Sequence, residues 1–269
     1  MAPSSHSNPS NSVAKILLRE DQGRVATLTM NRPAARNALS IELINCLQSE
    51  LDAISSDASV KALILRGAGP AFCSGHDLKE MRANPGRAFI EQVFQACSRL
   101  MVSITTLPQP VIAQVHGSAT AAGCQLVAAC DLAVCDDGAQ FATPGVNIGL
   151  FCSTPMVALS RAIGRKAAME MLLTGAPIDA PRALQIGLVN RVVPAAELSE
   201  AVRSLADLVA SKSSRVVALG KEAFGRQIEM SLERAYSYAA DVMVRNMMMF
   251  DAEEGIEAFL QKRQPNWCD

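Results

Sequence analysis

Two apolar segments of this chain are each followed by a run of small residues and then by the polar start of a helix. The segment 60–65 leads into residues 69–77, and the segment Val111–Val115 leads into residues 116–125. Each succession predicts a buried strand, a tight turn and a helix. Strands that alternate with helices in this order pair in parallel through right-handed crossovers. We therefore expect an α/β fold in which the two turns can converge on one carbonyl oxygen of a ligand.

The predicted strands lie in the first two thirds of the chain. Segments 15–19 and Val25–Met30 predict a hairpin, and residues 132–135 predict a further short strand. Ser40 is expected to cap an amphipathic helix, and Arg87–Thr106 predicts a long helix that the following prolines end. These elements indicate a sheet covered by helices.

The chain divides into three regions. Residues 1–12, rich in Ser, Asn and Pro, predict a disordered tail; 13–193 predict a core with a ligand pocket, and 194–269 a helical region. After about Ile178 the pattern predicts helices alone, and Asp179 is expected to cap the first of them. The tail lacks the arginines of a transit peptide, so we expect a cytoplasmic protein. The mitochondrial matrix is the alternative if a presequence has been removed.

An apolar cluster marks the helical region, formed by Met243, Met247, Met248, Met249 and Phe250. It is too dense for the solvated face of a helix. A stripe that packs in the core is one interpretation. A subunit interface explains the density better, because a small helical region has little core of its own to fill.

The composition excludes several classes of function. The 269 residues carry a formal net charge of -1 without a basic stripe, and 4% are aromatic, which argues against a nucleic-acid partner. The longest apolar tract, 111–134, is interrupted by polar residues, so no membrane segment is expected. Eight cysteines without a C-x-x-C pair, together with three histidines, indicate free thiols rather than a metal site.

The two turns form the candidate site. A helix that begins directly after a tight turn leaves backbone N–H groups unpaired, and such groups can hold an oxyanion. The small residues Ala121, Ala122 and Gly123 leave room for a ligand to approach the backbone. His76 is the obvious titratable side chain, although its backbone N–H alone can be what matters. Asp77 is expected to cap the helix that it opens rather than to catalyse.

Six segments combine these turns with further recognisable patterns: Asn31-Arg32-Pro33, Asn37-Ala38-Leu39, 72–81, 116–126, 141–145 and 171–175. Together they resemble the crotonase superfamily of enoyl-CoA hydratases and isomerases, from about residue 13 onwards. The resemblance implies a spiral of ββα units with a C-terminal helical trimerisation region. It also implies a homotrimer or a dimer of trimers, and an acyl-CoA thioester as the ligand without a separate cofactor.

The resemblance further implies the residues of the site. In the family, two backbone N–H groups hold the thioester carbonyl oxygen, and these map onto His76 and Ala122. Such amides stabilise enolate charge through fixed dipoles, worth on the order of 3 kcal/mol per donor. The residues implied to contact the substrate are Arg36, Ala38, Ser74, Asp77, Leu78, Ala121, Gln125, Pro144, Gly145 and Phe151.

Two positions depart from the family pattern. Where the hydratases of the family carry a pair of glutamates, this chain has Gln125 and Gly145. Hydration needs a base to activate water and an acid to protonate the α-carbon, each worth roughly 10²- to 10⁴-fold. We therefore expect two-glutamate hydratase chemistry to be weak or absent, and whether the chain is an enzyme stays open. The alternatives are another enolate-stabilising reaction, a non-catalytic acyl-CoA binder or carrier in fatty acid metabolism, and a structural subunit.

Several further residues have two interpretations. Cys152 and Ser153 lie where the family has its pocket wall, and a lining role is favoured over a nucleophile because no His or Asp is near them in sequence. Arg36 can contact a phosphate or amide of CoA, or can be a plain surface cation. Lys262 and Arg263 can contact the nucleotide end of CoA or can be helix-end cations.

Overall fold

The computed structural model describes residues 15–268, so the predicted tail at 1–12 lies outside the described residues. In chain order the strands are β1 (Leu17–Gln22), β2 (Val25–Met30), β3 (Ala62–Gly67), β4 (Val111–Val115), β5 (Ser118–Thr120), β6 (Leu132–Asp136), β7 (Gln140–Ala142), β8 (Ile178–Asp179) and β9 (Arg191–Val193). The helices are α1 (Ile41–Ser55), α2 (Leu78–Ala83), α3 (Arg87–Thr106), α4 (Ala122–Ala129), α5 (Pro155–Ala162), α6 (Arg165–Thr174), α7 (Ala180–Ile186), α8 (Leu198–Ala210), α9 (Ser214–Gln227), α10 (Leu232–Met247) and α11 (Phe250–Gln261). Short 3-10 turns occupy Pro33–Ala35, Pro144–Ile148 and Ala195–Glu197.

The strands form two sheets. The larger has the order β1-β2-β3-β4-β6-β9, and all of its strands are parallel except β1, which pairs with β2 as a hairpin. The smaller has the order β5-β7-β8, with β5 and β7 parallel. The expected α/β class is confirmed, and parallel pairing follows from the helices that connect successive strands.

Each winding of the chain repeats the same succession of elements. A strand of the larger sheet is followed by a short extended segment beside the smaller sheet and then by a helix, as in β4, β5 and α4. In the first two windings the extended segment forms only isolated parallel bridges. These pair Leu39 with His76 and Cys73 with Ala119. This repetition produces the spiral of ββα units that the family resemblance implied.

The core has two layers, one on each face of the larger sheet. Because successive side chains of a strand point to opposite faces, neighbouring residues of β3 serve different layers. Leu63 is buried beneath α1 and α3, whereas Ile64 is buried beneath α8. Each such side chain contributes roughly 1.5–3 kcal/mol when fully buried. The helix α8, from the region predicted to be a helical appendage, therefore covers a face of the sheet.

Several predicted elements coincide with the observed ones, and others were missed. The bounds of α3 and β4 are as predicted, and the Ser40 hydroxyl accepts the Leu43 N–H at 3.2 Å as a helix cap. The strand β3 begins two residues later than predicted. The prediction that only helices follow Ile178 was wrong, because Arg191–Val193 forms β9 beside β6. Three residues are too short to show an alternating pattern, and β5 and β7 were missed for the same reason.

The last three helices are attached to the core by a buried cation. Lys221 of α9 donates from its Nζ to the Asp131 carboxylate at 2.7 Å and to the carbonyl oxygens of Ile104 and Gln109 at 3.0 and 3.2 Å. Beyond this contact α10 and α11 present apolar side chains to solvent, and Met248 is 82% exposed. Along residues 15–268, no helix combines the length and the apolar character needed to cross a bilayer.

Candidate functional site

The first turn, residues 69–77 after β3, and the second turn, residues 116–125 after β4, lie side by side and are joined by backbone hydrogen bonds. Cys73, after β3, donates its N–H to the Ser118 carbonyl at 3.2 Å and accepts the Thr120 N–H at 2.9 Å. The Thr120 hydroxyl also donates to the Ser74 carbonyl at 3.1 Å. The turn that follows β3 is thus held along the whole length of β5, directly before α4 begins.

The backbone N–H of His76 points away from its neighbouring chain. Leu39 donates to the Gly75 carbonyl at 2.8 Å and accepts the Asp77 N–H at 3.0 Å, so it bonds to the residues on either side of His76. Because successive amides of extended backbone alternate in direction, the His76 N–H faces the opposite side. Among the described residues it has no acceptor.

The backbone N–H of Ala122 is the second unpaired donor. Ala121 has φ 50 and ψ −116, an unusual conformation for a residue with a side chain, and its own N–H donates to the Ala142 carbonyl at 2.9 Å. Such a conformation costs on the order of 1–3 kcal/mol and persists only when surrounding contacts hold it. Ala122 is the first residue of α4, where an N–H has no partner within the helix. In the described chain nothing else accepts it.

Two glycines allow the turns to approach one another. Gly75 has φ +95, and a Cβ there would lie 2.9 Å from the Ala121 Cβ and 3.4 Å from the Ala122 nitrogen. A Cβ on Gly123 would lie 2.1 Å from the Cys73 carbonyl oxygen. The sequence suggested that Gly123 leaves room for a ligand. In the structure, the backbone of the first turn occupies that room.

The imidazole of His76 packs in an apolar environment. Its ring meets that of Phe94 edge-on at a centroid distance of 5.0 Å, and Nε2 is buried without a partner in the described part of the chain. Burial lowers the pKa of His76 to about 4. The ring is therefore neutral near pH 7 and a weak base, which favours the backbone N–H over the ring as the functional group.

Asp77 caps α2 as expected. Its Oδ1 accepts the N–H groups of Lys79 and Glu80 at 3.1 and 3.2 Å, and its Oδ2 accepts from Arg32 at 2.9 Å. Burial raises the pKa of Asp77, but the bonds from Arg32 and the backbone outweigh it, so the pKa lies below its usual value. An ionised carboxylate with these partners holds the turn in place.

The substrate positions implied by the family fall into two groups. Arg36 accepts the Ser74 N–H on its carbonyl at 3.0 Å, and Ala38 is buried directly before the bridge at Leu39. Leu78, 52% exposed, lies at the start of α2. These residues, with Ser74 and Asp77, surround the first turn.

The second group lies beyond Ala121. Gln125, one turn into α4, is 4% exposed, and its Oε1 is buried without a partner among the described residues. Pro144 and Gly145 follow β7, whose last residue bonds to Ala121, and Phe151 is 43% exposed a few residues later. This side of the candidate site carries no carboxylate at either implied glutamate position.

Two residues near the site escaped the sequence interpretation. Thr143 is fully buried, and its hydroxyl has no partner within residues 15–268. Asn37 is fully buried, and its amide donates to the Ala68 and Ala71 carbonyls at 2.9 and 2.8 Å. The Asn37 side chain thus ties the turn after β3 to the Arg36 segment. Its place in the Asn37-Ala38-Leu39 motif was the available signal.

The spiral of ββα units is the crotonase fold, which the chain shares with crystal structures of enoyl-CoA hydratase-type proteins. A family model described as enoyl-CoA hydratase/isomerase matches residues 20–269, and the chain belongs to this family. The resemblance drawn from the sequence motifs is therefore confirmed.

The chain is similar to relatives of known sequence and structure. It is 51% identical to human enoyl-CoA hydratase domain-containing protein 3, mitochondrial, over 90% of this chain and 80% of that protein. A crystal structure of that human protein superposes with a TM-score of 0.91 and 48% identity, covering 94% of this chain and all of the other. A crystal structure of a Mycobacterium smegmatis enoyl-CoA hydratase superposes with a TM-score of 0.92 and 51% identity, covering 94% and 99% of the two chains.

Proposed function

We propose that the chain binds an acyl-CoA or enoyl-CoA thioester and polarises its carbonyl with the backbone N–H groups of His76 and Ala122. The observation that carries the proposal is the pair of unpaired N–H groups on two turns that are bonded to each other. An unpaired N–H that is kept from water is costly, so both donors favour a ligand acceptor. Membership of the enoyl-CoA hydratase/isomerase family supports a CoA thioester as that ligand.

The electrostatics of the site suit a carbonyl that gains negative charge. Two fixed N–H dipoles stabilise an enolate oxygen without a proton of their own to lose, and each is worth about 10²- to 10³-fold in rate. The neutral His76 ring and the apolar side chain of Phe94 keep the local dielectric low, which strengthens those dipoles. The site therefore supports binding and activation of a thioester.

Hydration is a different matter, because neither Gln125 nor Gly145 can transfer a proton near neutral pH. We propose that two-glutamate hydratase activity is weak or absent. The absence of these acids also supports the second candidate, a non-catalytic binder or carrier of acyl-CoA in fatty acid metabolism. Assays for the conversion of crotonyl-CoA and of longer enoyl-CoAs distinguish an enzyme from a non-catalytic binder, because only an enzyme turns them over. Robust hydration that survives Gln125→Ala would contradict the role assigned to the missing acids.

Replacement of Ala122 by lactic acid tests the carbonyl site directly. This change exchanges one N–H for an ester oxygen and keeps the side chain, so the fold is preserved. We expect calorimetry to show butyryl-CoA binding about tenfold more weakly, the loss of one hydrogen bond. The C=O stretch of a ¹³C-labelled thioester should move to lower wavenumber on binding to the unmodified protein, and by less in the ester variant.

The same replacement at Ala180, the first residue of α7, is the matched control. It should leave both affinity and the C=O stretch as they are in the unmodified protein. Equal affinity and an equal stretch in the two ester variants would remove Ala122 from the site. If the unmodified protein binds no acyl-CoA at all, the third hypothesis, a structural subunit, is the one that stands.

Assembly and location are further parts of this proposal. We propose a homotrimer or a dimer of trimers that buries the exposed apolar faces of α10 and α11 and the turn between them. Met248 in that turn and Phe259 in α11 are each 82% exposed. The similar proteins from human, rat and mouse are named mitochondrial, which favours the matrix over the cytoplasm expected from the sequence.

A further inference from the structure

The thiol of Cys152 lies against Gly145, at the second position where the family's hydratases carry a glutamate. The backbone N–H of Gly145 faces the Cys152 sulfur and lowers the pKa of its thiol. A Cβ on Gly145 would lie 2.9 Å from that sulfur and 2.9 Å from the Leu150 carbonyl oxygen. Both distances are shorter than ordinary van der Waals contact. The space that any side chain at position 145 needs is therefore already occupied.

The backbone around this contact is tied down. Leu150 donates its N–H to the Gly145 carbonyl at 2.9 Å, and the Cys152 carbonyl accepts the Met156 N–H at 2.9 Å at the start of α5. Gly149, at φ +78, makes the bend that brings Leu150 back over Gly145. A side chain at position 145 would have to move this loop as well as the sulfur.

The surroundings of the thiol are neutral and largely dry. Cys152 is 7% exposed, and burial raises the pKa of its thiol, which the nearby Gly145 N–H offsets only in part. Cys124 of α4 is 1% exposed; burial, and then the proximity of Cys152, raises the pKa of its thiol. Next to it along α4, Gln125 supplies an amide. Neither thiol nor amide is a proton donor suited to hydration near pH 7.

We propose that Cys152 is a specificity-determining residue, which closes the second acid position so that the site holds a thioester without hydrating it. This inference rests on the proposed function of the same site. It adds that the packing of the loop 144–152 against position 145 is itself a cause of the lost hydration. Restoring both glutamates is then insufficient while the sulfur stays in place.

A stability cycle tests the packing and needs no ligand. Gly145→Ala should lower Tm by about 4 °C or more, through overpacking against the sulfur. In a Cys152→Ala background the same change should cost clearly less, since the sulfur has gone. Equal losses of Tm in the two backgrounds would overturn the proposal. A Gly145→Ala chain that folds only in the Cys152→Ala background supports it.

A gain of activity tests the consequence. Gln125→Glu/Gly145→Glu should hydrate crotonyl-CoA no faster than Gln125→Glu alone, because the sulfur keeps the second glutamate out of its position. Addition of Cys152→Ala should raise the rate over that double variant by up to about 10²-fold, the worth of one acid–base group, since only loop backbone then crowds position 145. Hydration by the double variant as fast as by the triple one would refute the proposal. Calorimetric titration of the unmodified chain with butyryl-CoA runs alongside, because lost binding there would count against the proposed function instead.

Discussion

The close contact between Gly123 and Cys73 predicts that Gly123→Ala lowers the stability of the fold, although glycine-to-alanine changes within helices ordinarily raise it. In Gly123→Ala, the new methyl carbon would lie 2.1 Å from the Cys73 carbonyl oxygen, so α4 and the first turn must separate by more than about 1 Å. That oxygen accepts the Thr120 N–H at 2.9 Å. The separation therefore stretches a hydrogen bond that joins the two turns.

The magnitude follows from three contributions. Alanine in place of glycine stabilises a helix by about 1 kcal/mol. Overpacking against backbone costs about 1–3 kcal/mol or more, and a weakened hydrogen bond costs about 0.5–1.5 kcal/mol. The net effect on Gly123→Ala is a loss of roughly 2 kcal/mol in the free energy of unfolding, or a fall in Tm of about 4–8 °C.

Gly220 provides the matched control, since it lies within α9, where a Cβ would meet no described atom outside its own helix within 4 Å. Gly220→Ala should raise the free energy of unfolding by about 1 kcal/mol, with Tm higher by about 2–4 °C. Urea unfolding followed by circular dichroism measures both variants, and calorimetry with butyryl-CoA reports on the site. Binding should weaken in Gly123→Ala alone, because its displaced helix carries the Ala122 N–H. If both variants gain stability and bind alike, the close approach of the turns is refuted.

Three further changes probe the His76 ring, the ion pair of Lys221 with Asp131 and the exposed helices. Burial lowers the pKa of His76 from 6.5 to about 4, so in that window the unfolded chain binds a proton that the folded chain does not. Lowering the pH from 6.5 to 4 should therefore lower the free energy of unfolding by about 3 kcal/mol more in the unmodified chain than in His76→Asn. If urea unfolding shows the same pH dependence for both proteins, the buried neutral ring is refuted. Lys221→Met removes the cation beside the Asp131 carboxylate, which is 27% exposed, and should cost about 1–3 kcal/mol through lost charged hydrogen bonds; the exposed Lys212→Met should change little, a difference that urea unfolding detects. Phe259→Asp should shift the sedimentation coefficient to that of a smaller species, and an unchanged coefficient would argue against α11 at a subunit interface.

Much of the fold was accessible from local signals in the sequence. The prolines that end α3 and the largely apolar run of β4 identified both elements with correct bounds, because each signal lies in or directly beside its element. The caps at Ser40 and Asp77 were equally legible, since a cap acts within three residues of itself. The strands of two or three residues were not legible, because their pairing partners lie far away in sequence.

The sequence alone determined the small-residue turns, the loss of both glutamates and the family to which the chain belongs. Tertiary structure decided what those residues contact. Only the folded chain places the Cys73 carbonyl where a Gly123 side chain would go and the Cys152 sulfur where a Gly145 side chain would go. The physical reason is that the preference for a turn or a glycine depends on the local backbone conformation. The space beside that residue is filled by residues that are distant in sequence and meet it only in the folded chain.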